Sequence, residues 1–175
     1  MNLPTFLILL IILLTHSLQS IANGNIIFIP KGAEWSYSDN GINLGAEWKE
    51  PDFDDSAWKK GETVIGFGNN NITTIAERGE VDSRNITFYF RKEFNFSSRL
   101  NDSLSKIGKK LSLELGILRD DGAVIYLNGQ EIVRDNMPEG EINWNTLASS
   151  SVIGSGESTY YDKNIDPTIK LKPGK

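Results

Sequence analysis

The stretch LRDDGAVIYLNGQEIVRDNMP, from Leu118 to Pro138, constrains the fold more than any other part of the chain. Two apolar-rich segments, Ala123 to Leu127 and Gln130 to Arg134, flank Asn128-Gly129. A two-residue type I′ turn needs positive φ at both central positions, which Asn tolerates and Gly adopts freely. The spacing therefore predicts a hairpin. Asp121-Gly122 is a second turn signal. Before it, Leu111, Leu113, Leu115 and Ile117 alternate with Ser112, Glu114 and Gly116. Period two marks a strand with one buried face, so three consecutive antiparallel strands are predicted here.

Other segments read as strands too. Asn25 to Pro30, Glu34 to Ser38 and Glu62 to Phe67 are short and rich in β-formers, and Thr159 to Asp162 and Ile169 to Leu171 could each add one. Ile86 to Phe96 alternates over the longest run, with Phe88, Phe90, Phe94 and Phe96 on one face and Thr87, Tyr89, Arg91, Glu93 and Asn95 on the other. The apolar face is expected to be the buried one. Ser97 to Lys110 reads as a polar crossover loop with one helical turn. No segment sustains a helical period, so an all-β antiparallel sandwich is expected.

The N-terminus stands apart. Phe6 to Leu14 is an unbroken apolar run, followed by polar residues and then Ser20-Ile21-Ala22. An h-region of that length before small residues predicts a secretory leader over residues 1–22, with one domain over residues 23–175. Thr15, His16, Ser17, Gln19 and Ser20 interrupt the run well short of the ~20 apolar residues a spanning helix needs. The mature chain is expected to be extracellular, with no membrane span.

Loss of the leader removes chemistry. The single His, His16, goes with it, and the sequence has no Cys. Ser-His-Asp and Cys-His catalysis, His/Cys metal sites and disulfides are thereby excluded. A formal net charge of −5 argues against nucleic acid or an anionic membrane as partner. Oxygen ligands remain for a hard cation, calcium above all.

Several residues carry candidate roles. Asp54 and Asp55, in PDFDDSAW, are read as turn and cap carboxylates before a catalytic pair. Arg119, Asp120 and Asp121 sit at the mouth of the hairpin block. Turn stabilisation with an Arg–Asp pair is the favoured reading. The rival makes Arg119 and Asp121 ligand contacts, or Asp120 and Asp121 a calcium site. Trp35 and Trp58 are expected in the core; Trp48 and Trp144 lie in polar loops, where burial and ligand stacking both stay open. Sequons begin at Asn71, Asn85, Asn95 and Asn101, each a glycan acceptor in a secreted eukaryotic chain. Asn85 and Asn95, which flank and enter a strand whose polar face points to water, are expected to be occupied.

Taken in order, FDDSAW at Phe53 to Trp58, IGFG at Ile65 to Gly68, YFRKEF at Tyr89 to Phe94 and the hairpin block resemble secreted galactose-binding-like jelly-roll modules. The resemblance runs from about Ile29 to Gly174. More distantly, the chain is similar to the sugar-binding jelly roll at the front of family 2 glycoside hydrolases. The resemblance implies a non-catalytic accessory module, with carbohydrate or another extracellular domain as partner and no obligatory cofactor. The alternative it implies is the N-terminal fragment of a secreted metallophosphoesterase or glycoside hydrolase whose catalytic domain is absent. The family pattern continues past its LKPG turn into one or two strands, so the module is expected to lack its last strands.

Overall fold

The computed structural model describes residues 21–22, 25–80, 82–106, 113–166 and 171. Two units divide at Pro30. The first contributes β1 (Ile21–Ala22) and β2 (Asn25–Ile26), paired antiparallel as Ile21 with Ile26 and Ala22 with Asn25. The strand expected from Asn25 to Pro30 therefore ends after two residues. The apolar run Phe6 to Leu14 lies outside the described residues, among which no helix is long and apolar enough to cross a membrane.

The second unit is built mainly of short strands. They are β3 (Glu34–Ser38), β4 (Lys59–Glu62), β5 (Ile65–Gly66), β6 (Thr74–Ile75), β7 (Gly79–Glu80), β8 (Ser83–Arg84) and β9 (Tyr89–Arg91), then β10 (Glu114–Leu118), β11 (Ala123–Leu127), β12 (Gln130–Asp135) and β13 (Tyr160–Asn164). One helix, α1 (Ser98–Lys106), lies between β9 and β10. It is longer than the single turn expected. Its sequence signal is the pair Leu100 and Leu104 at i, i+4 after Ser97, a residue type suited to helix entry. The architecture is all-β in the coarse sense, and its pairs are antiparallel except β5 with β6.

The hairpin forms where the sequence places it. Asn128 (φ 51°) and Gly129 (φ 82°) make the turn, and Leu127 faces Gln130 across it. The register then shifts: Tyr126 opposes Glu131 but Ile125 opposes Val133. Ile132 is the extra residue, and the bulge lets Ile132 and Val133 both reach the same core.

The preceding strand does not join this hairpin. β10 pairs instead with β13, from Glu114 with Asn164 to Leu118 with Tyr160. Asp121-Gly122 is thus a corner between two ladders and not a hairpin turn. Gly122 is needed there by close approach, since a Cβ would lie 2.8 Å from the Asn136 carbonyl oxygen. The two ladders share one core: buried Ile117, Val133 and Ile165, with Leu115, Ala123 and Ile125 packed on them.

β3 is central to a three-stranded sheet between β4 and β9, with Tyr37 opposite Phe90 and Ser38 opposite Tyr89. Here the expected facing is reversed. Tyr89 is buried at 5 % exposure, whereas Phe90 is 36 % exposed. The alternation resumes in the expected sense beyond exposed Lys92 and Glu93, with Phe96 buried and Asn95 exposed. Two adjacent charged residues mark the change of face. Of the strand expected at Ile169 to Leu171, residues 169 and 170 lie outside the described residues and Leu171 is not in a strand.

Candidate functional site

Arg91 organises the segment that holds FDDSAW. Its Nη1 donates to the carbonyls of Trp48 (2.5 Å) and Glu50 (3.0 Å), Nη2 to those of Pro51 (3.5 Å) and Phe53 (3.4 Å), and Nε to Asp55 Oδ2 (3.3 Å). The planar fork of five N–H groups suits this task, which an ammonium could not perform. Trp48 is thereby held edge-on against Tyr89 (4.9 Å) and Tyr126 (5.7 Å), while Trp58 meets Phe53 at 5.7 Å. Burial pushes both tyrosine phenols above their ordinary pKa. Asp54 accepts the Ser56 N–H at 3.0 Å, and hydrogen bonds from Ser56 hold its carboxyl below the usual range. Asp54 serves the turn, whereas the Asp55 carboxylate is spent on Arg91, 36 residues away, and only its main-chain carbonyl, accepting the Trp58 N–H at 2.9 Å, closes the turn.

Trp35 is half-buried on β3. Of the two loop tryptophans, Trp48 belongs to the aromatic cluster, its ring faced by two phenols. Trp144 is 39 % exposed, and its carbonyl accepts Thr87 Oγ1 at 2.5 Å. The structure does not bring the two together with Arg119 or Asp121 in one site.

Arg119 turns inward. Its Nε donates to Asp135 Oδ2 at 2.7 Å, and its guanidinium lies 4.2 Å from the Tyr161 ring centroid. Lys163 Nζ reaches the other oxygen of Asp135 at 2.6 Å. Burial alone would raise the Asp135 carboxyl, but donation from Lys163 and Arg119 outweighs it and holds the pKa below the ordinary value. The triad links β12 to the β10–β13 ladder. The Arg–Asp pair is real, with Asp135 as the partner and not a turn aspartate.

Asp121 uses its carboxylate on the main chain, accepting the Val152 N–H at 2.7 Å, and its carbonyl accepts Asn136 Nδ2 at 3.1 Å. Asp120 is exposed; partial burial, then the charges of Asp121 and Glu157, push its carboxyl above the ordinary pKa. Among the described residues no group of three or more acidic or histidine side chains is placed to hold a metal ion.

The Val152 bond anchors the segment that enters one wall of an open groove. This groove, about 310 Å³, is lined by Asn69, Asn70, Asn71, Gly154, Glu157 and Ser158. Of the residues singled out from sequence, Asn71 lines it, Asp121 anchors its wall and Asp120 lies within the field of Glu157. Asn69, Asn70, Glu157 and Ser158 were not singled out. The run of three asparagines was the available signal; nothing in the sequence pairs it with residues 154–158.

Arg134 does for the following loop what Arg91 does for FDDSAW. It clasps Glu131 with two bonds of 2.7 and 2.8 Å and donates Nη1 to the carbonyls of Pro138 (2.7 Å) and Gly140 (2.8 Å). Asn95 is exposed, Asn85 is half-buried, and the side chain of Asn101 lies outside those described.

Comparison with family models, with curated proteins and with solved structures finds no match to this chain.

Proposed function

We propose that the chain is a secreted, non-catalytic binding module of the galactose-binding-like jelly-roll type, and that its ligand is carbohydrate. The groove carries this reading. Its side chains are amides, one carboxylate and one hydroxyl, groups that exchange hydrogen bonds with sugar hydroxyls. The one hydroxyl among them, Ser158, donates to the Ser155 carbonyl at 3.3 Å and not to the neighbouring Glu157 carboxylate, so it is not held as a nucleophile against a base. The jelly-roll assignment draws support from Arg91, Tyr89 and Tyr126. They bring FDDSAW, YFRKEF and the hairpin block, three of the segments that carry the resemblance, to one cluster.

The test is a glycan array on the full chain made in a host that adds no glycans, because the sequon residue Asn71 lines the groove, followed by titration of any hit against Asn70→Ala and Glu157→Ala. Each variant removes a hydrogen-bonding group and is expected to weaken binding about tenfold while leaving the melting temperature unchanged. An array without a hit, or a hit unaffected by both substitutions, refutes the proposal.

A further inference from the structure

Two of the sequons are the same tripeptide, Asn-Ile-Thr, at residues 71–73 and 85–87. Any acceptor preference set by the tripeptide treats them alike. Their surroundings differ at the two groups that define a sequon, the Asn amide and the Thr hydroxyl.

At Asn85 both groups are engaged. Nδ2 donates to the Asp39 carbonyl at 2.6 Å and to the Glu77 carbonyl at 3.2 Å. A primary amide nitrogen carries two hydrogens, so both are spent. Thr87 Oγ1 donates to the Trp144 carbonyl. Asp39 is itself 3 % exposed, and its carboxylate accepts Lys59 Nζ at 3.0 Å and the Glu77 N–H at 2.8 Å. The half-buried Asn85 amide therefore closes a polar junction between three segments, with buried Asp39 at its centre.

At Asn71 the two groups are open. Asn71 and Thr73 are exposed, and neither side chain makes a hydrogen bond among the described residues. The Ile72 N–H to the Asn69 carbonyl, 3.4 Å, holds Asn71 in a turn on the wall of the groove.

We infer that the native chain carries an N-linked glycan at Asn71 and none at Asn85, where folding and modification compete for one nitrogen. The inference rests on the export reading above. The donor is a lipid-linked oligosaccharide pyrophosphate supplied by a secretory host. Nδ2 of Asn71 bonds to the first sugar's C1 and gives up one proton. The C1–O bond to phosphate breaks, and the lipid pyrophosphate leaves with that electron pair. The same transfer to Asn85 would remove one of its two donor hydrogens and force a sugar between Asp39 and Glu77. Asn95 and Asn101 do not enter this comparison.

The full chain is expressed in glycosylating secretory cells, and glycans are released enzymatically in ¹⁸O-water, which marks each occupied Asn as a labelled Asp. The exported, folded fraction is expected to carry label at Asn71 and none at Asn85. Thr73→Ala should lose one glycan step in gel mobility, and Thr87→Ala none. In unglycosylated bacterial protein, Asn85→Gln should lower Tm by about 5 °C and Asn71→Gln should leave it unchanged. Label at Asn85 in folded protein, or equal melting of the two variants, overturns the inference. So does an unlabelled Asn71: label at Asn95 or Asn101 alone then faults the site, and label nowhere faults export.

Discussion

The guanidinium of Arg91 closes on the carbonyl oxygen of Trp48, a residue 43 positions earlier, and in doing so fixes where the Trp48 ring can lie. The same guanidinium takes three further carbonyls and the Asp55 carboxylate. Its side chain is 13 % exposed. Loss of the fork would leave two half-buried carbonyls, of Trp48 and Phe53, without a donor.

Arg91→Ala is therefore expected to destabilise the domain by about 3 kcal/mol, from charge-assisted bonds worth roughly 1.5–3 kcal/mol each that are only partly replaced by water. Arg91→Lys should recover little of this, because an ammonium cannot span four carbonyls and a carboxylate. Urea unfolding measures the loss. A red shift of tryptophan emission in the folded variant would report Trp48 leaving its place between the tyrosines.

Gly129 is the second pivot. Its φ of 82° lies in the left-handed region, and a Cβ there would sit 2.7 Å from Glu50 Oε2. Glu50 is a flexible carboxylate and can move, so backbone strain dominates. Gly129→Val should cost about 1–3 kcal/mol. Asn128→Gly, at an exposed position already at φ 51°, should be nearly neutral. The two denaturation midpoints, measured side by side, check the assignment; equal midpoints would show that the turn does not set the register.

These two pivots differ in how far the sequence revealed them. Asn128-Gly129 is a local signal, and the hairpin it predicts matches the observed strands within one residue. The partner of β10 was not legible, because Asp121-Gly122 turns the chain equally well into a hairpin or a corner between ladders. The period-two run at Ile86 to Phe96 was legible as extended chain. Its first half faces the other way because Tyr89 and Arg91 bury more usefully, under Trp48 and FDDSAW, than Phe90 does. The groove as a whole was not legible: its walls are separated by more than 80 residues, and the asparagine run and sequon on one wall point to no partner on the other.

Trp48 and Trp144 are alike by sequence and separable by experiment. Trp48→Ala removes a half-buried ring packed on Tyr89 and Tyr126, with an expected cost of about 2–3 kcal/mol, below the 3–5 kcal/mol of a fully buried Trp. Trp144→Ala removes an exposed ring and keeps the carbonyl that Thr87 uses, so its effect should stay within about 0.5 kcal/mol. Calorimetric melting of both variants tests this; a larger loss for Trp144→Ala would contradict the placement of both rings.

Asp135 and Asp120 should respond to pH with opposite signs. The Asp135 pKa is depressed in the folded chain, so on acidification the unfolded chain takes up the proton first. The stability it contributes is present above the unfolded value, about 3.9, and is lost as pH falls through the lower folded value. Asp135→Asn leaves Arg119 and Lys163 facing an amide. It should cost about 3–5 kcal/mol at neutral pH, the price of breaking a largely buried pair from one side, and should flatten the acid limb of the stability profile. Asp120 has a raised pKa, so its ionised form is disfavoured by folding above the unfolded value, and that cost disappears below it. Asp120→Asn should therefore leave neutral-pH stability equal or slightly higher, by less than about 0.5 kcal/mol at so exposed a position. Chemical denaturation from pH 3 to pH 7 on the parent and both variants separates the two; an Asp135→Asn protein that keeps the parent's acid limb would remove Asp135 from the account.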